Sequence, residues 1–200
     1  MHALPGGASC DLGVEAMEDC QQLPAGVVLE TGFVVSALEG SDPHHRACSA
    51  FLERIVRART ALFYNDLFEL ELHERAFELG TRDVRRRTGP PSGAVRYTNP
   101  KVRSLAGDLL DRWHAVVVRA DAVHVELPNM LEDVRYFMER AGLSAAHAVQ
   151  AGMVVASGAD GIATVEDRFS AVNETLVRMY TPQRLVRRSR SRRPTARATM

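Results

Sequence analysis

Apolar residues along the chain form two kinds of pattern, which predict strands and helices in alternation. Continuous apolar runs of strand length occupy 26–30, 61–64, 115–118 and 161–164, and 176–180 predicts a last strand at a sheet edge. Between these runs, apolar residues recur at intervals of three and four, as on one face of a helix. The predicted helices cover 33–38, 47–55, 67–79, 102–113, 130–141 and 143–152. Such alternation predicts an α/β fold, a three-layer α/β/α sandwich with a central, mainly parallel sheet.

Turn and capping residues set the expected boundaries of these elements. Asn65 is placed to cap the helix that follows it, and Gly80 is expected to end that helix. The segment 81–99 is basic and interrupted by Gly and Pro, so it predicts a connection. The predicted organisation is a flexible N-terminal extension over residues 1–25, one domain over 26–182 and an Arg-rich disordered tail over 183–200.

The net charge of zero conceals an uneven distribution of charge along the chain. Residues 181–200 hold seven Arg and no acid, which leaves residues 1–180 with an excess of seven acids. A basic run attracts polyanions by releasing their counterions, although a solvated, disordered end explains the same composition. The chain therefore combines an acidic domain with a basic tail.

Cysteine usage and hydropathy predict a cytoplasmic protein that does not enter a membrane. Cys10, Cys20 and Cys48 have no paired spacing, so neither a disulfide framework nor a zinc site is indicated. No apolar run reaches membrane-spanning length, and residues 1–25 do not have the pattern of a signal peptide.

Acidic residues follow the predicted inner strands. Glu30 closes the first strand, Glu166 lies two residues beyond the fourth, and Glu71 lies on the helix after the second. Thr31 and Thr164 stand close to them, with hydroxyls that can orient a carboxylate or a water. Ligands of open parallel sheets bind beyond the carboxyl ends of the strands, and clustered carboxylates repel each other unless a cation binds them. Mg²⁺ or Mn²⁺ takes such ligands and can activate water against a phosphodiester, whereas caps and solvated charges are the alternative.

Four segments, in order, resemble the motifs of PIN domains, the ribonuclease fold of VapC-type toxins. They are VVLETGFVVSALEGSDPHHRACSAFL at 27–52, NDLFELELHE at 65–74, LSAAHAVQAG at 143–152 and GADGIATVEDRF at 158–169. The likeness covers roughly residues 26–182. It implies a metal-dependent ribonuclease that uses Mg²⁺ or Mn²⁺, with RNA as substrate, an antitoxin as partner and a homodimer as assembly.

The acidic positions of the resemblance depart from the family pattern. The first and fourth Asp of the family fall on Glu30 and Glu166, and the third falls on Ser144, while Glu71 matches in type. Asp167 lies out of step with a further family Asp. The resemblance thus implies Glu30, Glu71 and Glu166 as metal ligands, with Ser144 and Asp167 in support. Capping the helix that follows is the other role open to Ser144.

Basic and apolar side chains complete the set of candidates. Four arginines are candidate RNA contacts, because a planar guanidinium group can bind phosphate through two hydrogen bonds. A solvated loop explains their presence equally well. They are Arg82, Arg85, Arg86 and Arg87. His147 is expected to be packed or hydrogen-bonded. Met130, Phe137 and Met138 fit either the core or a homodimer face.

The predicted function is a PIN-like, metal-dependent ribonuclease, the toxin of a toxin–antitoxin pair by resemblance. The alternative is a catalytically degenerate PIN-like module that binds RNA or a protein partner. A plain structural or interaction protein is the third possibility.

Overall fold

The structure is a computed structural model, and it describes residues 13–88, 97–172 and 177–186. Within these described ranges, six parallel strands form one sheet in the order β1-β6-β5-β2-β3-β4. The strands are β1 Val14–Ala16, β2 Gly26–Leu29, β3 Ala61–Tyr64, β4 Val123–His124, β5 Gly161–Ala163 and β6 Arg178–Thr181. The helices are α1 Thr31–Leu38, α2 His45–Arg57, α3 Asp66–Thr88, α4 Pro100–Ala120, α5 Leu131–Ala141 and α6 Ala145–Ser157. None of these helices is long and apolar enough to cross a membrane.

The sheet lies between two helical layers, which confirms the predicted α/β three-layer sandwich. Successive side chains of a strand point to opposite faces, and β2 shows this clearly. Val27 and Leu29 join the core formed with α1 to α4, whereas Val28 joins the core formed with α5 and α6. Both faces of β2 are therefore buried, which explains its uninterrupted apolar sequence.

The order of the strands reverses at β2. The chain runs from β2 through α1 and α2 to β3 on one side, and later returns to β5 on the other side. Sheets of this topology open a crevice beyond the carboxyl ends of the strands at the reversal. Here that crevice lies beyond the carboxyl end of β2, beside β5 and β3.

The predicted break after residue 79 is wrong, because α3 continues through Gly80 to Thr88. A Cβ on Gly80 would lie 2.9 Å from the Val102 carbonyl oxygen of α4. This glycine therefore allows α3 and α4 to approach closely, rather than ending α3. The start of the helix agrees with prediction, since Asn65 Oδ1 accepts from the Phe68 amide at 2.9 Å.

The predicted strand at 115–118 is also wrong, because these residues belong to α4. Trp113 and Val116 are buried and Val118 is exposed, so the segment keeps the helical period of the residues before it. Tertiary packing of one helical stripe outweighs the strand preference of three consecutive valines. The strand that follows β3 is β4, which comes after the helix.

Both predicted domain boundaries move outward. Val14–Ala16, assigned to the flexible extension, form β1 beside β6, and Met17 and Cys20 are buried. As a result β6 lies between two strands and not at the predicted edge. Residues 183–186, assigned to the tail, are also ordered against the domain, and Val186 is buried. Residues 1–12 and 187–200, the remainder of both predicted segments, lie outside the described residues.

Gly161 permits the close pairing of β5 with β6. A Cβ at this position would lie 2.2 Å from the Arg178 carbonyl oxygen, its register partner. We expect Gly161→Ala to lower the free energy of unfolding by about 1–3 kcal/mol, because backbone must shift to admit the methyl group. Gly107→Ala is the matched control: it lies in α4 with no atom near its missing Cβ, and should stabilise by about 0.5–1 kcal/mol. Urea unfolding of both variants tests the pairing, and equal effects would contradict it.

Candidate active site

A cavity of about 460 Å³ lies at the crevice beyond β2, and the three predicted glutamates line it together. Glu30 follows β2, Glu71 lies on α3 and Glu166 follows β5. Its lining contains Glu30, Thr31, Gly32, Glu71, Glu74, Arg75, Glu78, Ala146, His147, Gln150, Glu166 and Arg168. Three carboxylates that are far apart in sequence therefore share one concave site.

Glu30 is buried and caps helix α1 with its own carboxylate. Its Oε1 accepts from the Gly32 amide at 2.5 Å, and its Oε2 accepts from the Phe33 amide at 3.1 Å. Thr164 donates its hydroxyl to the same Oε2 at 3.3 Å. A Cβ at residue 32 would lie 2.9 Å from Glu30 Oε2, so glycine makes room for this long acidic cap. The side chain of Glu30 is thus held against its own helix at the edge of the cavity.

Burial raises the pKa of Glu30 above its ordinary value, because a charged carboxylate loses solvation in the interior. The hydrogen bond from the Gly32 amide opposes this rise, and the negative charge of Glu166 adds to it. The desolvation of Glu30 dominates. A cation in the cavity would lower this cost, because it favours the charged form of Glu30.

Glu71 and its neighbour Thr31 connect α3 to the start of α1. Thr31 is buried, and its hydroxyl donates to Glu71 Oε2 at 2.9 Å. The bond fixes one carboxylate oxygen of Glu71 at the cavity wall. The predicted orienting role of Thr31 agrees with this contact.

Glu166 ends a chain of hydrogen bonds that begins at Ser144. His147 Nε2 lies 2.8 Å from Glu166 Oε2, and its Nδ1 lies 2.5 Å from Ser144 Oγ. The Glu166 amide donates to Thr164 Oγ1 at 2.9 Å, which fixes the backbone there. Glu166 is therefore positioned by His147 and Thr164, and Arg168 Nε is 3.6 Å from the same carboxylate oxygen.

The sequence left two roles open to Ser144, which are support of a metal site and capping of α6. Its side chain performs neither of them fully. It occupies the N-cap position of α6, yet its hydroxyl makes no capping hydrogen bond and contacts the His147 ring instead. It is exposed and is not part of the cavity lining. Asp167 is likewise exposed and outside the lining. Ser144 therefore reaches the cavity only through its contact with His147. Asp167 does not line the cavity.

Oxygen donors and negative charge make the cavity suited to a hard cation. Five Glu line it against two Arg. Within the ranges that the structure describes, however, no three Asp, Glu, His or Cys side chains converge closely enough to hold a bare ion. The donor set fits Mg²⁺ or Mn²⁺ chemically, since both take oxygen ligands, and Mg²⁺ usually keeps several of its waters.

Sequence reasoning missed Gln150, which lies on α6 three residues after His147. It is only 4% exposed, it lines the cavity, and its Oε1 has no hydrogen-bond partner among the residues that the structure describes. The sequence did contain a signal for Gln150, which is a single side-chain amide in a helix of mainly Ala, Val and Gly residues. That helix packs tightly along its buried side. A polar side chain buried in such a helix needs a partner, and the described part of the chain provides none for Gln150 Oε1.

The four arginines proposed as RNA contacts lie beyond the cavity, on the last turns of α3 rather than on a loop. All four are exposed and none lines the cavity; they are Arg82, Arg85, Arg86 and Arg87. Arg87 Nε pairs with Asp83 Oδ2 at 3.0 Å along the helix. These arginines lie on a helix, and not on the predicted loop, because α3 extends past Gly80.

Buried thiols take no part in this site. Cys20 and Cys48 are free and buried, and burial raises the pKa of both, that of Cys20 to about 12. Cys10 lies outside the described residues.

Comparison with known proteins finds no relative of this chain. No model of a known protein family matches the chain, and no curated protein sequence matches it. The resemblance to PIN domains therefore stays a prediction.

The raised pKa of Glu30 has a measurable consequence for stability. Ionisation of Glu30 costs folding free energy once the pH exceeds the unfolded-state pKa of about 4.3, and the cost grows until the pH passes the folded-state pKa. Without metal, we therefore expect the wild type to lose stability relative to Glu30→Gln as the pH rises above about 4. The change of this stability difference with pH is the diagnostic quantity, because loss of a cap bond affects the variant at every pH. Urea unfolding measures it, with the exposed Glu139→Gln as the control; a constant difference would contradict the burial argument.

Proposed function

We propose that the protein is a PIN-like, metal-dependent ribonuclease that hydrolyses RNA phosphodiester bonds. The observation that carries this proposal is the meeting of Glu30, Glu71 and Glu166 in one cavity at the carboxyl ends of the central strands. Each comes from a different part of the chain, and each is held by a neighbouring hydroxyl or imidazole. Solvated surface charges have no need of such support, so the arrangement favours a functional role.

Within this proposal, Glu30, Glu71 and Glu166 would hold Mg²⁺ or Mn²⁺, directly or through water. When bound, such an ion supplies activation of a water and neutralisation of charge on the phosphate. Thr31 orients Glu71, Thr164 orients Glu30, and His147 orients Glu166 with the support of Ser144. These contacts restrict the motion of the three carboxylates and so lessen the ordering that metal binding requires.

The surface of α3 supports RNA as the substrate. Glu71, Arg75, Glu78 and Arg82 are spaced by four, three and four residues, so they share one face of the helix. Arg82 lies about 16 Å from Glu71 along the axis, and the other arginines of the group follow within two turns. A phosphate backbone bound along this face would lead from the arginines into the acidic cavity.

The remaining parts of the proposal rest on the resemblance. It favours the toxin of a toxin–antitoxin pair, located in the cytoplasm, where buried free thiols such as Cys20 and Cys48 stay reduced. A homodimer is favoured by α5, because Tyr136 and Met138 are 51% and 43% exposed there while Phe137 is buried.

Removing the charge of one carboxylate tests the proposed activity. We expect Glu71→Gln to lower metal-dependent cleavage of RNA by about 10- to 100-fold, because Glu71 would contact the ion or its waters. Cleavage of a fluorescent RNA with and without chelator measures this effect. Glu139→Gln, an exposed change on α5, should cleave like the wild type. Full activity of Glu71→Gln would remove the cavity from the mechanism.

A catalytically degenerate module that binds RNA is the second candidate, favoured by the uncharged Ser144 and by the lack of a close group of three ligands in residues 13–88, 97–172 and 177–186. It predicts RNA binding that weakens steeply with salt, needs no metal and survives Glu30→Gln. Deleting residues 187–200, which spares the buried Val186, should then weaken binding as well. Filter binding over a salt series distinguishes this case, and cleavage that depends on metal would exclude it.

A further inference from the structure

Helices of the described chain end in two different ways. Glycine follows α5 and α6, at Gly142 and Gly158, with φ angles of 65° and 66°. Glycine is usual at such a helix end, because the left-handed backbone crowds the Cβ of any other residue. Beyond α2 and α4 the same conformation is adopted instead by Arg59 and Asp121, with φ angles of 59° and 50°. Two charged residues therefore occupy positions that favour glycine.

The endings of α2 and α4 do not account for these two side chains. The Thr60 amide donates to the Ile55 carbonyl at 3.0 Å and closes α2, and the Ala122 amide closes α4 at the same distance. Both bonds need only the turn of the backbone, which glycine would form with less strain. Arg59 bears the larger strain, since aspartate adopts this conformation more readily than arginine. Strained backbone of this kind clusters at functional sites, where the side chain serves another purpose.

Arg59 and Asp121 line one cavity of about 610 Å³. It lies where α2 and α4 end and where β3 and β4 begin, with Ala61 and Val123 in its wall. The acidic cavity lies beyond the carboxyl ends of the strands, so the two cavities are at opposite ends of the sheet. Their linings have no described residue in common. This second cavity is therefore a separate candidate site.

Positive charge without an internal partner is the main feature of the second cavity. Arg57 is paired with Glu53 along α2, at 2.9 Å. Arg59 and Arg119 are exposed to solvent, and they form no ion pair and no side-chain hydrogen bond with any described residue. Planar guanidinium groups bind phosphate through two parallel hydrogen bonds. Asp121 would repel a simple anion, so the ligand must also carry a donor for this carboxylate.

We infer that the second cavity binds a nucleoside 5′-phosphate. The phosphate would lie on Arg59 and Arg119, and a ribose hydroxyl would donate to Asp121, as ribose does to acidic residues in dinucleotide sites. Val56 and Val123 provide apolar area for a base. The volume is within the usual range of small-molecule sites, about 300–1,000 Å³. The inference does not depend on the proposed ribonuclease activity, because it uses other residues.

Glycine substitution separates the role of Arg59 in binding from its effect on the fold. We expect calorimetric titration in metal-free buffer to show binding of at least one of the nucleotides AMP, GMP, CMP and UMP. Arg59→Gly should bind it about 10-fold more weakly, yet unfold at an equal or higher temperature, because glycine relieves the left-handed strain. Arg140→Ala removes the same charge from the exposed surface of α5 and should bind like the wild type.

Asp121→Gly tests the ribose contact. The wild type should prefer the nucleotide to its 2′,3′-dideoxy form by about 10-fold, and the variant should bind both forms equally. A free nucleotide and the 5′ end of an RNA offer the same chemistry, and a 5′-phosphorylated tetranucleotide distinguishes them. Tighter binding of the tetranucleotide than of the mononucleotide would identify the RNA end as the ligand, and equal or weaker binding would identify the free nucleotide.

If Arg59→Gly does not fold, Arg59→Asn replaces it, since asparagine also adopts the left-handed conformation. Absence of nucleotide binding by the wild type, or equal affinities in the wild type and the folded Arg59 variant, would overturn the inference. Inorganic phosphate that binds as tightly as the nucleotide would also overturn it and would show an adventitious ion only. None of these results affects the metal-dependent cleavage assay, which tests the proposed function separately.

Discussion

The burial of the Glu30 carboxylate is the constraint on which the site depends. Glu30 stands where β2 ends and α1 begins, at the reversal of the strand order. The two amides at the start of α1 and the hydroxyl of Thr164 hold the charge in the interior, yet desolvation still raises its pKa. The fold therefore keeps a carboxylate at some cost in stability, and that cost would be offset by a cation in the adjoining cavity.

The other two carboxylates are held by single contacts around this buried group. Thr31 directs Glu71, and His147 directs Glu166 while its second nitrogen meets Ser144. The hydroxyl of Thr31 is uncharged, so it orients Glu71 without neutralising it. The guanidinium of Arg168 lies 3.6 Å from Glu166, on an exposed side chain. The arrangement resembles the outer shell of a metal site, where supporting groups orient the ligands.

Local patterns predicted most of the architecture but failed where distant contacts compete with them. Strands β2 and β5 are buried and β3 is partly buried; all three have apolar sequences because helices cover both faces of the sheet, so a simple run of apolar residues located them. The three valines at 116–118 form an apolar run like those of the strands. They belong to α4, because Trp113 and Val116 pack into the core on the buried face of that helix. Gly80 has the appearance of a helix end and is a point of close packing between helices. Neither difference can be inferred without knowing what lies across the contact.

By itself, the sequence determined the alternation of strands and helices, and it therefore determined that Glu30 and Glu166 emerge at the same edge of a parallel sheet. It did so because strand polarity and side-chain period are local properties of the chain. The tertiary structure alone decided that His147 of α6 meets Glu166 beyond β5, and that β1 pairs with β6. It also decided that Gln150 is buried beside the acids, with an Oε1 that no group of the described residues bonds. These outcomes depend on how helices and strands distant in sequence pack together, and no spacing along the chain encodes that packing.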